Sequence, residues 1–291
     1  YFTGKEEFEI VGLDLEQAIT SVPVKCYSWK DISNVNHIDV VIHLAGIAHD
    51  LGNKFTNADY YRVNTKLTEE IYTWFLSSGA SQFIYFSTVK AVRNYSDSPL
   101  VEDVLPEKVG VYGTSKKLAE DFLLEHIPPP GHSMIIFRPC MIHGPQPKGN
   151  LVSLYRYISR GLPYPFGKIS NQRSYLSMEN LCYLLERTLV SEIPSGIYHL
   201  ADDTPLSTQR IIELIGEASL KKPIFINLPS KVIDWLAGFG SAFNLPFNRK
   251  VLKKLTGNFI VSNQKIKGVL NLNTLPVSPE EGMKKALDSL Q

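Results

Sequence analysis

Ser87-Thr88 closes the apolar run Phe83-Ile84-Tyr85-Phe86, and about two dozen residues further on Tyr112 and Lys116 stand four residues apart. The run has the length and composition of a buried strand. The later stretch opens an amphipathic helix with Leu118, Phe122 and Leu123 on one face. Residues at i and i+4 of a helix project from the same side, one turn apart. An ammonium beside a phenol favours the phenolate, so Lys116 is expected to bring Tyr112 below a free tyrosine's pKa of about 10. Thr88, at a strand end, can hydrogen-bond the same substrate oxygen. Such a set moves a proton to and from a secondary alcohol when a hydride acceptor lies alongside. A lone Tyr-x-x-x-Lys also occurs on ordinary surface helices, so the weight rests on its agreement with the rest of the chain.

The elements that must hold this set come from a chain of 291 residues, enough for one large domain or two modest lobes with ample core. A hydrophobic content of 44% and a charged content of 20% belong to an ordinary globular protein. The formal net charge of +1 gives no electrostatic case for nucleic acid. Cys26, Cys140 and Cys182 lie far apart without metal spacing, which suggests no metal and a reducing cytoplasm. No apolar run reaches the roughly 20 residues of a membrane span.

Residues 8–14 form a strand pattern ending in Asp14, the place where a dinucleotide-binding fold carries an acid for the ribose hydroxyls. Its charge would repel a 2′-phosphate, favouring NAD over NADP. Asp39-Val-Val-Ile-His-Leu-Ala-Gly46 is a strong strand followed by small residues. Its His43, like His49, has no partner at metal spacing and is expected to be packed or solvated. Tyr60, Val63, Leu67, Ile71 and Trp74 recur at helical spacing, with Gly79 as C-cap.

Thr88, Tyr112-x-x-x-Lys116 and these flanking strands resemble the short-chain dehydrogenase/reductase superfamily, in its extended branch, the NAD-dependent epimerase/dehydratase family acting on nucleotide sugars. The resemblance covers nearly the whole chain, being strongest over 39–180 and looser beyond 220. It implies an α/β fold: a Rossmann-like doubly wound parallel sheet with a smaller C-terminal α/β substrate lobe. Residues 1–143 plus 176–200 would bind NAD, and 144–175 plus 201–291 the nucleotide sugar. The family's first βα unit, with its glycine-rich turn, has no counterpart after Tyr1. The expectation is that about 20–30 residues precede it, a βα unit by size.

By resemblance, Leu44, Ala45 and Gly46 let backbone pass close to the cofactor, and Asn64 braces the active-site water and backbone. Tyr112 and Lys116 also face the nicotinamide ribose. Arg138-Pro139-Cys140-Met141-Ile142-His143-Gly144-Pro145 resembles the family's Arg-Pro-x-x-x-x-Gly-Pro segment, where Pro139 and Cys140 border the nicotinamide. Many members carry Asn at the Met141 position for the substrate diphosphate. Asn150 and Leu151 match the backbone clamp on the nucleotide, Phe166 the uracil-facing strand, and Arg173 the arginine that grips the diphosphate, a geometry suited to a guanidinium fork. Phe259 falls where family epimerases gate the sugar's C2 substituent, and its bulk would disfavour N-acetyl groups. Asp202-Asp203 reads as a turn. Residues 231–254 mix apolar Trp235, Leu236, Phe239 and Phe243 with Arg249, Lys250, Lys253 and Lys254, a lid or packing helix or else a membrane-surface element.

Val89-Lys90 after Thr88 replaces the Asp-Glu pair of the family's dehydratases, which leaves an epimerase or a reductase. The expected activity is therefore an NAD-dependent UDP-hexose or UDP-N-acetylhexosamine 4-epimerase working through a 4-keto sugar, in surface-polysaccharide precursor synthesis. The alternatives are an NAD(P)H-dependent UDP-4-keto-6-deoxy-hexosamine 4-reductase and, in a different class, a non-catalytic dinucleotide-binding protein. Homodimers are usual in the family.

Overall fold

Four apolar runs bury both their faces, the mark of a parallel sheet covered by helices on either side. The computed structural model describes residues 1–14, 24–48, 54–147, 149–165, 167, 171–242 and 249–291. Along the chain come β1 (Val11–Asp14), β2 (Lys25–Ser28), β3 (Val40–His43) and the short helix α1 (Asn57–Tyr61). A π-helical turn at Arg62–Lys66 carries α1 into α2 (Leu67–Ser78), ahead of β4 (Gln82–Phe86) and β5 (Ser96–Leu100). The long helix α3 (Val111–Glu125) leads to β6 (Ser133–Pro139), β7 (Met141–His143), α4 (Asn150–Ser159), β8 (Tyr175–Ser177), α5 (Met178–Leu189) and β9 (Gly196–Leu200). Next are α6 (Thr208–Ala218), α7 (Ser230–Ala242), α8 (Arg249–Thr256), β10 (Phe259–Val261), α9 (Gln264–Val269) and α10 (Pro279–Asp288).

The main sheet runs β3-β4-β6-β9, every pair parallel. Successive side chains of a strand point to opposite faces. Phe83, Tyr85, Met134 and Ile136 accordingly meet Ile71 and Phe75 of α2 and Ala119 and Leu123 of α3. Their neighbours Ile84, Phe86, Ile135 and Phe137 pack on the other side with Leu181, Leu184 and Leu185 of α5. This is the doubly wound α/β arrangement expected from the resemblance. β1 and β2 pair in a separate parallel ladder. A second core, from Ile158 of α4, Ile211, Ile212 and Ile215 of α6, Ile233 of α7 and Met283 and Leu287 of α10, builds the C-terminal part. β10 pairs with β5, and β8 with β7, so both later segments are sewn back beside the sheet.

Local signals hold where they rest on backbone chemistry. Gly79 ends α2 at φ 83°, a left-handed conformation that glycine adopts without a Cβ penalty. Ser278 caps α10 by accepting from the Glu281 backbone N–H. Two expectations need correction. Leu118 is 44% exposed, and the buried stripe of α3 is Gly113, Ser115, Lys116, Ala119, Glu120 and Leu123, because the charged members find buried partners. Asp202 and Asp203 form no surface turn. Asp202 is buried and accepts from the Ser177 backbone and the Asn180 amide. Asp203 accepts from Lys267, Asn263 and the Leu275 backbone.

Phe83 is fully buried, with its ring 5.1 Å from Tyr72 and 5.3 Å from Phe75. Phe83→Ala is expected to lower unfolding free energy by about 3–5 kcal/mol in urea titration. A loss below about 1 kcal/mol would contradict this packing.

Candidate active site

The end of β4 delivers three groups in succession. The Phe86 carbonyl accepts from Lys116 Nζ at 2.9 Å. Ser87 Oγ donates to Glu120 Oε1 at 2.5 Å. Thr88 caps the 3₁₀ turn Val89–Ala91, accepting from the Lys90 backbone, and its hydroxyl lies within hydrogen-bonding reach of the Tyr112 phenol. Gly113 makes this approach possible, since a Cβ there would collide with the Lys90 carbonyl oxygen and push the Thr88 turn off the helix. Thr88, Tyr112 and Lys116 are therefore brought together as their spacing suggested.

Glu120 and Arg138 were not singled out from sequence. Glu120 is fully buried one turn beyond Lys116 and takes both Arg138 Nε at 2.9 Å and Nη2 at 2.6 Å. The signal was present, because Tyr112, Lys116 and Glu120 recur every four residues along one helical face.

Burial decides the electrostatics. Lys116 is 4% exposed, and desolvation draws its pKa down to about 8, opposed by the Glu120 carboxylate. Tyr112 is raised above a free tyrosine, first by burial, with the Thr88 hydrogen bond opposing. The expected lowering by Lys116 is not seen: desolvation of the phenol outweighs it, and Lys116 Nζ points to the Phe86 carbonyl and over the Tyr85 ring at 4.8 Å.

Asn64 lies in the π-helical turn, a local rewinding that periodicity could not show and that recurs at functional sites. Its Oδ1 accepts from Ile47 N at 2.7 Å, and its amide donates to Ile47 O and Ser115 Oγ, each at 3.0 Å. Ser115 Oγ in turn donates to the Tyr112 carbonyl at 2.9 Å. The loop after β3 is thus tied to the first turn of α3. His43 is packed, its Nε2 2.9 Å from Thr68 Oγ1, and burial takes its pKa down to about 3, leaving it neutral.

Leu44, Ala45 and Gly46 lie exposed at the end of β3. A Cβ on Gly46 would sit 2.9 Å from Asn64 Oδ1 and 3.0 Å from Lys116 Nζ, so the glycine keeps the approach to the ammonium clear. An ammonium has three donors, and the Phe86 carbonyl takes one; the remainder suit the hydroxyls of a nicotinamide ribose. Asp14 is exposed at the end of β1. These residues fit the ribose portions of NAD.

The remaining expected positions fall into separate groups. Pro139 ends β6 and Cys140 follows it, both buried, with burial pushing the Cys140 thiol well above its usual range. Arg173 pairs through its backbone with Leu206 and Phe259 and donates from Nη1 to Gly257 O at 3.2 Å. Asn150 opens α4, and Leu151 packs against the second core. Phe166 and His49 lie outside the described residues. Phe259 is 5% exposed in the main core with Phe86 and Leu100, so its side chain is a packing element and not an open gate. Among the described residues no group of His, Cys, Asp and Glu could hold a metal ion.

Fold and site together are those of a short-chain dehydrogenase/reductase-type α/β enzyme. The profile of the NAD dependent epimerase/dehydratase family matches residues 24–201, and the chain belongs to that family, with NAD as its cofactor. Among similar proteins, the UDP-glucose 4-epimerase of Vibrio cholerae is 29% identical over 84% of this chain and 75% of its own length. The N-acetyl-alpha-D-glucosaminyl-diphospho-ditrans,octacis-undecaprenol 4-epimerase of Escherichia coli O157:H7 is 26% identical over 72% of this chain and 61% of its own. The solved UDP-glucuronic acid 4-epimerase of Bacillus cereus in complex with NAD shares the fold at a TM-score of 0.69 and 18% identity, over 94% of this chain and 82% of that one.

The depressed Lys116 pKa has a defined sign for stability. Between about pH 8 and the unfolded value of 10.5 the folded state gives up its proton first, so stability rises with pH across that window and the burial penalty is full below it. Relative to Lys116→Met, the wild type should gain about 3 kcal/mol from pH 7.5 to pH 10.5 in urea unfolding. A difference that stays flat would show Lys116 to be uncharged or hydrated at neutral pH.

Proposed function

We propose that the protein is a nucleotide-sugar 4-epimerase, interconverting a UDP-linked hexose or N-acetylhexosamine with its C4 epimer for surface-polysaccharide precursors. The observation that carries the reading is the meeting of Thr88, Tyr112 and Lys116 at the open end of β4. Family membership and the likeness to 4-epimerases support it. NAD bound beside these residues would supply the hydride acceptor and donor for C4 of the sugar. As its phenolate, reached when the phenol gives up its own proton before the reaction, Tyr112 would accept the proton of the 4-hydroxyl and later return it. Thr88 holds that oxygen by a hydrogen bond, fixing its distance to the phenol. Lys116 would supply a buried ammonium beside the Phe86 carbonyl, with donors left for the ribose. Arg173 and the segments 144–175 plus 201–291 would hold the nucleotide diphosphate.

Proton NMR of UDP-glucose and UDP-N-acetylglucosamine incubated with the protein and no added nicotinamide should show the C4 epimer. Tyr112→Phe should lower turnover by about 10²–10⁴-fold, the range of a lost general acid–base. Near-normal turnover in that variant would sink the mechanism. No epimer from either sugar, together with NADH oxidation by a UDP-4-keto sugar, would assign a 4-keto reductase instead.

A further inference from the structure

Helix α7 turns Ile233 and Ala237 into the second core, yet its outer face is apolar as well. Val232 is 41% exposed, Trp235 68% and Phe239 49%, three positions that share one side of the helix. The Trp235 and Phe239 rings lie 6.1 Å apart at 26°, a stacked pair. Apolar side chains thus stand on more than one side of this helix, with the three outer ones partly open to solvent.

Positive charge borders the aromatic pair. A Cβ built on Gly238 would lie 3.4 Å from Arg249 Nη2, which puts that guanidinium against α7. Lys231 is exposed in the first turn of α7, and Lys253 of α8 is exposed over the Tyr95 ring. Residues 230–256 contain five basic side chains and one acid, Asp234. A two-fold contact with a second copy would set these cations against themselves. Aromatic side chains flanked by Lys and Arg match instead the headgroup region of a bilayer, where rings sit at the interface and cations meet anionic lipid. At 13 residues α7 is too short to cross a membrane but long enough to lie on one.

We infer that the α7–α8 face docks on anionic phospholipid bilayers, with Trp235 and Phe239 entering the headgroup layer and Arg249 and Lys253 facing lipid phosphates. The surface is joined to the site, since Gly257 N donates to the Lys253 carbonyl and Arg173 donates to the Gly257 carbonyl. Docking would hold the diphosphate-binding side of the protein against the membrane. It goes beyond the proposed 4-epimerase activity and is tested without any turnover measurement.

The test is co-sedimentation of the protein with phosphatidylcholine vesicles containing phosphatidylglycerol and with phosphatidylcholine alone. The wild type should partition to the anionic vesicles on the order of tenfold more than to neutral ones, with a salt-sensitive difference. Trp235→Ser with Phe239→Ser should abolish partitioning. Lys231→Glu with Lys253→Glu, which leaves the aromatic face intact, should do the same on anionic vesicles. Wild type that stays in the supernatant overturns the inference. So does equal partitioning of folded double variants, checked by circular dichroism. A self-association lost in the aromatic variant, without vesicle binding, would assign the face to a second copy instead.

Discussion

A buried ion pair fixes helix α3. Glu120 of α3 takes the Arg138 fork of β6 in two hydrogen bonds and the Ser87 hydroxyl in a third. Removing either charged partner would leave the other uncompensated in the core, a loss of several kcal/mol. The pair therefore has one low-energy arrangement, and that arrangement sets the rotation and height of α3. Lys116 and Tyr112 lie one and two turns back along the same face, so their positions follow from it. Apolar packing by Ala119 and Leu123 presses α3 to the sheet but resists sliding weakly. The directional bonds of Glu120 supply what packing lacks.

The same burial that gives the site its rigidity works against its charges. Desolvation lowers Lys116 and raises Tyr112, so both move toward neutrality. Glu120 opposes this at Lys116, and Thr88 opposes it at Tyr112. One residue network thus serves geometry and electrostatics together. Ser115 and Asn64 extend it, because the Asn64 amide joins Ile47 to Ser115 and Ser115 holds the Tyr112 carbonyl. Gly46 and Gly113 keep two approaches free of side chains, at the ammonium and at the Thr88 turn.

How much of this was legible in the sequence depends on the range of the interaction. Strands β3, β4 and β6, the caps at Gly79 and Ser278 and the pairing of Tyr112 with Lys116 follow from local periodicity and backbone chemistry. The buried stripe of α3 was misread because apolar periodicity favours Leu118, whereas Glu120 and Lys116 enter the core on partners 18 and 30 residues away. The π-helical turn buries the polar residues Asn64 and Thr65, which apolar periodicity does not read. Phe259 looked like a gate by position along the chain. Its β10 pairing with β5 turns the ring into the main core, a placement set by a strand more than 150 residues distant.

Thr88 and several of the expected site positions arrive at the same edge of the sheet. Leu44-Ala45-Gly46 follow β3, Phe86 ends β4 with Ser87 and Thr88 just after it, and Pro139 ends β6 with Cys140 next. In parallel α/β sheets the carboxyl ends of the strands open into loops while the strands stay fixed by ladders on both sides, so chemistry collects there. The proton-handling set is thus built almost wholly on the rigid sheet and on α3. Leu151 of α4, like α7, instead rests on the second core, with its own apolar cluster. Arg173 is tied by its backbone to Leu206 of that core and to Phe259 of the main one. The two cores are joined by short backbone pairings, so packing changes in the second need not move Tyr112. The positions of Thr88, Tyr112 and Lys116 are constrained by the sheet, while the second core packs as an apolar cluster of its own.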